Sequence, residues 1–193
     1  MVFAHARSRT CILFLFAALI LCAVPISPSA AANAESWRFN DYAAGGDYYS
    51  ADGCVVTETH LNAFTDGESP QAYVFYDHSV YDYCTDTLLE GVAGNGGGTL
   101  NVDGSLSTAS LTATITVYDY VTGTEESLTI NETFTAVGPK YRSRESHSYG
   151  IPGQYQVVTK TNGVSRTATA TGTVELDSAY IGQVKQGAVF VSH

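Results

Sequence analysis

Residues 109–136 read ASLTATITVYDYVTGTEESLTINETFTA, and this stretch decides the fold class. Leu111, Ala113, Ile115 and Val117 share one parity, while Thr112, Thr114, Thr116 and Tyr118 share the other. That period of two is the mark of a strand with one buried face. After a turn at Thr122-Gly123-Thr124 the pattern returns as Leu128, Ile130, Phe134 and Ala136 against Thr129, Asn131, Thr133 and Thr135, which predicts a hairpin. Threonine suits the outer face, because its β-branched side chain loses little on a pleated surface.

Working outward, CVVTETHLNAF at 54–64 predicts a strand whose face is Val55, Thr57, Thr59, Leu61 and Ala63, with a bulge to absorb its mixed opposite parity. Residues 71–86 predict one long aromatic strand bent near His78 and Ser79. Trp37–Phe39 predicts a short edge strand. GVAGNGGG at 91–98 reads as a flexible connection, KYRSRESHSYGIPG at 140–153 as a basic, polar loop, and Thr161-Asn162-Gly163 as a tight hairpin turn. A last strand is expected near Gly187 to Val191. About eight strands without an amphipathic helix imply an all-β, antiparallel β-sandwich, immunoglobulin-like or jelly-roll-like; a partly closed β-barrel is the alternative.

The start of the chain has a different character. Arg7 and Arg9 precede the apolar run CILFLFAALILCAVPI at 11–26, and small residues follow at Ser29 to Ala32 and Ala34. This is the plan of a secretory signal peptide spanning residues 1–32, leaving a single domain over 33–193 and a secreted, extracellular protein. A retained anchor and a lipidated Cys22 are the weaker readings. No other stretch could cross a membrane, so no membrane span is expected in the mature chain. Two cysteines then remain, Cys54 and Cys84, and an even pair in an oxidising compartment predicts one disulfide. Closing a loop of about 30 residues, it is worth about 3.5 kcal/mol in the chain-entropy model.

From residue 33 onward 7 Lys and Arg stand against 19 Asp and Glu, a net charge of 7 − 19 = −12. Such a chain repels phosphate backbones, which argues against a nucleic-acid partner. The charge is unevenly spread. Residues 33–139 hold one basic residue, Arg38, and 16 acids, whereas 140–193 hold six basic residues and three acids. The preferred reading is that the halves interleave and pair their charges across neighbouring strands; a bipolar molecule is the other.

Val-Tyr-Asp-Tyr occurs twice, within VYDYCTDT at 80–87 and VYDYVTGT at 117–124. In each copy the Asp, Asp82 or Asp119, follows the last apolar strand residue by two and is placed to accept bonds from backbone N–H groups of the turn. The tyrosines Tyr81, Tyr83, Tyr118 and Tyr120 then cover the outer face. A calcium or sugar site on the two Asp residues is the functional alternative, short of the six to eight oxygens that calcium takes. These segments, with the loop at 138–153, resemble uncharacterised bacterial secreted proteins that carry Y-D-x-C-T-x-T early and a T-G-T turn later. The resemblance implies export and β architecture and brings no activity.

Nucleophile and metal motifs are missing: there is no G-x-S-x-G, H-x-H or H-E-x-x-H, so no catalytic residue, metal or cofactor is expected. Glu132 shares parity with Ile130 and Phe134, which places a carboxylate toward the core. An edge position or a basic partner such as Arg166 is the preferred account, and a cleft acid of an exported hydrolase is the rival. Asn131-Glu132-Thr133 has the form of a glycosylation sequon in mid-strand. Ligand-binding candidates are Tyr81, Tyr83, Tyr118 and Tyr120, because tyrosine offers rigid contact area with a hydroxyl, and Arg142, Arg144 and His147 on the basic loop. The function expected is a secreted, non-catalytic module that binds an extracellular protein or glycan, with an exported hydrolase or a structural envelope component as alternatives.

Overall fold

The computed structural model describes residues 34–67, 69–152 and 154–192. The expected signal peptide lies outside the described residues. Eight strands follow in chain order: β1 (Ala34–Asp52), β2 (Val55–Thr65), β3 (Gln71–Asp82), β4 (Thr87–Val102), β5 (Thr108–Asp119), β6 (Thr124–Ile151), β7 (Tyr155–Gly172) and β8 (Ser178–Ser192). Each pairs antiparallel with the next, and β8 returns to β1, so one all-β sheet closes in a ring. Opposite walls of the ring face one another across an apolar interior. The closure is not a clean barrel, since the β4–β5 ladder skips between Asn95 and Gly98 and the β6–β7 ladder slips between Ala136 and Lys140.

The deciding hairpin holds as read. Leu111, Ala113, Ile115, Val117, Ile130 and Phe134 are buried, and Thr108 through Asp119 pair in continuous register with Thr135 through Thr124. Leu61, Leu100 and Ile181 complete the centre, and Leu106 tucks in from the β4–β5 loop with φ 56, a left-handed conformation costing about 1 kcal/mol for a branched residue. Cys54 and Cys84 form the expected disulfide, with Cα atoms 5.5 Å apart.

Five local expectations are corrected. The glycine-rich stretch is the middle of β4, because its inner positions lie where neighbouring side chains need the room: a Cβ on Gly96 would come within 2.9 Å of Ile115 Cγ2, and one on Gly98 within 2.9 Å of Val74 Cγ2. Most of the expected basic loop, residues 140–151, is the far part of the 28-residue β6. Asn162-Gly163 runs straight through mid-β7, held between Arg144 and Ser143 on one side and Lys185 and Val184 on the other, so ladder pairing overrides turn propensity. β1 extends over 19 residues rather than three, and β2 needs no bulge, since both its ladders run without a slip.

Four strands outlast the ring. Beyond Ala43 on β1 and Ala136 on β6, residues 34–42, 140–151, 155–166 and 182–192 continue as a four-stranded apron, in the order β6-β7-β8-β1. In that part β2 and β5 no longer pair with its two outer strands.

Candidate functional site

Directly opposed residues of antiparallel strands point to the same face. Tracing the inner face of the ring outward therefore fixes one face of the apron. Ala44, Ile181 and Ala168, all buried in the ring, lead along their strands to Tyr42, Asn40 and Arg38; to Gln183, Lys185 and Gly187; and to Arg166, Val164, Asn162 and Lys160. On β6 the same face carries Lys140 opposite Arg166, Arg142 opposite Val164 and Arg144 opposite Asn162. All seven Lys and Arg residues that follow residue 33 thus share one face, whereas Asp41, opposite Val184, and Glu145, opposite Thr161, have the parity of the other.

This overturns the preferred account of the charges. The ion pairs among the described residues all involve histidine: His60 with Asp47 at 2.7 Å, His78 with Glu90 at 3.6 Å and His147 with Glu145 at 3.8 Å. Residues 45–139 hold 14 acids and no Lys or Arg. The molecule is bipolar, with the acid-only stretch forming most of the ring and the cations gathered on the apron.

Three of these cations, Arg38, Lys160 and Lys185, line a cleft of about 910 Å³. At its centre Gly187 stands between Lys160 of β7 and Arg38 of β1. One row away, Lys185 stands between Asn162 and Asn40; on the other side lies Val189, opposite Val158. Asn40 Oδ1 accepts a bond from Gln183 Nε2 at 2.7 Å, and the same amide nitrogen donates to the Tyr42 hydroxyl at 3.0 Å. Arg38, Lys160 and Lys185 are exposed, and none of the lining residues is a carboxylate. The arrangement offers a concave surface of fixed positive charge and amide donors, which focuses field lines toward an incoming anion.

The candidates read from the sequence fall in three places. Arg142 and Arg144 lie on the basic face; His147, opposite Thr159, is on the reverse face. That reverse face is aromatic and aliphatic in part, with Tyr141, Tyr149, Ile151, Val184 and Phe190 exposed and Tyr155 stacked on Phe190 at 5.8 Å. The four tyrosines occupy the opposite end of the ring. Tyr81 lies against Tyr83 with ring centroids 4.9 Å apart, and Tyr118 meets Tyr120 edge-on at 5.2 Å.

The two echoed turns are built alike. Asp82 Oδ1 accepts from the N–H groups of Cys84 at 2.9 Å and Thr85 at 3.3 Å, and Asp119 Oδ1 accepts from those of Val121 at 2.7 Å and Thr122 at 3.0 Å. Bonds from the turn hold both carboxyls below their ordinary range; at Asp82 the largest comes from the Thr85 side chain and at Asp119 from the Thr122 backbone. The Tyr81 hydroxyl donates to Asp86, and that bond raises its pKa. Cys54, Asp82 and Cys84 converge within 4.8 Å, but the disulfide occupies both sulfurs.

Glu132 is neither at an edge nor paired with Arg166. It is 2% exposed; its Oε1 accepts from the Val174 N–H at 2.5 Å and the Thr173 hydroxyl at 3.4 Å, tying down the β7–β8 connection. Its Oε2 is buried and has no hydrogen-bond partner among the described residues. Arg166 instead donates from Nε to the Gly138 carbonyl at 3.0 Å.

Sequence reasoning missed Arg38, Asn40, Lys160, Asn162, Lys185 and Gly187. Part of the signal was present, because Lys140, Arg142 and Arg144 share one parity, as do Lys160, Asn162 and Arg166. Only the register across four strands shows that Lys185 and Arg38 belong with them. Comparison with protein-family models, curated proteins and solved structures finds no match.

Proposed function

We propose that the protein is an exported, non-catalytic binding module whose extracellular partner is anionic and lies across the basic face of the apron. The observation that carries this is the segregation of every Lys and Arg after residue 33 onto that face, without an acid among them. Unit charges about 10 Å apart repel by about 0.4 kcal/mol in water before salt screens them, and seven such groups left unrelieved favour an anion that relieves them. The hydrolase reading has less support: Glu132 is committed to the Val174 N–H, and the cleft is lined by no carboxylate. The Cys54–Cys84 disulfide and the signal-like leader support export.

The test is retention of the purified 33–193 chain on an immobilised acidic polysaccharide at low ionic strength, followed by salt elution. Wild type is expected to bind and to elute as salt rises. Lys160→Glu with Lys185→Glu is expected to weaken binding about a hundredfold, as two charge-assisted contacts turn repulsive, with an unchanged melting temperature. Failure of wild type to bind any acidic polymer at low salt refutes the reading.

A further inference from the structure

We propose that the cleft centred on Gly187 is a subsite for the ring of an acidic sugar, one bearing a carboxylate or a sulfate. This rests on the anion-binding reading of the basic face and adds the chemical class of the ligand.

The cleft lies among neighbouring positions of one face on β7, β8 and β1 whose central member, Gly187, has no side chain. Strands lie about 4.8 Å apart and same-face neighbours along a strand about 6.7 Å apart, so Lys160 and Arg38 flank the gap at about 10 Å backbone to backbone. Its floor is the peptide backbone at Gly187. A gap of this width admits a six-membered pyranose ring between the two cations.

Three kinds of contact converge there, and together they discriminate among anions. Arg38, Lys160 and Lys185 supply charge on three sides of the gap. Asn40 and Asn162, on either side of Lys185, supply amides suited to hydroxyls, which both donate and accept. Because Asn40 Oδ1 already accepts from Gln183, its Nδ2 is the group left to donate. Val158 and Val189 form an apolar wall, suited to the C–H face of a sugar. Polyphosphate has no use for the amides or the valines. An acidic peptide presents flexible carboxylates and no hydroxylated ring. An acidic sugar satisfies all three.

The experiment measures affinity of the 33–193 chain for a short oligogalacturonate, a sulfated oligosaccharide and an oligoglutamate of matched charge, in wild type and in Gly187→Leu. That substitution fills the floor and keeps every charge. Wild type is expected to bind at least one of the two sugars about tenfold more tightly than the peptide, whichever acid group it bears. Gly187→Leu is expected to erase that margin and leave peptide affinity unchanged. Asn162→Ala, a milder change on an exposed strand position, is expected to lower sugar affinity about fivefold with no effect on the peptide, and it decides the matter if the leucine variant does not fold. Equal affinity of wild type for sugars and peptide, or a sugar preference that survives both substitutions, overturns the subsite. Binding of none of the three overturns the anion-binding reading as well.

Discussion

The ring and the apron are made from the same side of the same strands, yet one presents Ala44, Phe134, Ala168 and Ile181 and the other Arg38, Arg144, Lys160 and Lys185. The difference is what each face meets. In the ring, inner positions confront the opposite wall, so burial favours apolar groups at about 25 cal/mol per Å² removed from water. In the apron the same positions are exposed or half-buried, that demand lapses, and they are free to carry charge. Closure of the sheet and recognition by it are thus separated along individual strands rather than between domains.

If this division is right, damage to the ring should be costly and damage to the apron's charges nearly free for stability. The largest effect is expected from Phe134→Ala, which removes a fully buried side chain and should cost about 3–5 kcal/mol in chemical unfolding. A loss below about 1 kcal/mol would mean that the ring interior is not a packed core. Next comes replacement of Cys54 and Cys84 together by alanine, expected to cost about 3 kcal/mol while retention on an acidic polymer survives, because the bridge lies at the ring end away from the cleft. Loss of retention in that variant, measured on folded protein, would join what the comparison separates.

The smallest effect concerns pH. The hydrogen bond to Asp47 raises the pKa of His60, against the lowering effect of its desolvation. A raised folded pKa contributes stability that is complete below the unfolded value of about 6.5 and is lost as pH rises through the folded value. The pair is largely solvent-exposed, so only tenths of a kcal/mol are at stake. Melting temperatures of wild type and His60→Gln should converge as pH rises from 6 to 9. A gap that widens instead would refute the assignment.

The ring was largely legible in the sequence because burial on one face writes a period of two, and Leu111 to Val117 and Ile130 to Phe134 display it. β4 was not, since glycines that make room for Ile115 and Val74 look like glycines that make a loop. The far part of β6 escaped for the opposite reason: with both faces of 140–151 exposed, no apolar alternation marks it as a strand. The cleft was hidden more deeply, because Arg38 and Lys160 meet across Gly187 only through pairings that span the whole chain.

β6 runs unbroken from Thr124 to Ile151 and belongs to both regions. At about 3.3 Å per residue its contour is roughly 90 Å, rooted in the ring at one end and paired with β7 out to Ile151 at the other. The end of β6 at Ile151, whose carbonyl accepts from the Gln154 N–H at 3.0 Å, is therefore the part of the strand farthest from the ring. A protease nick there would leave each severed arm rooted in the ring through β6 or β7, so the platform should outlive the cut that divides its chain.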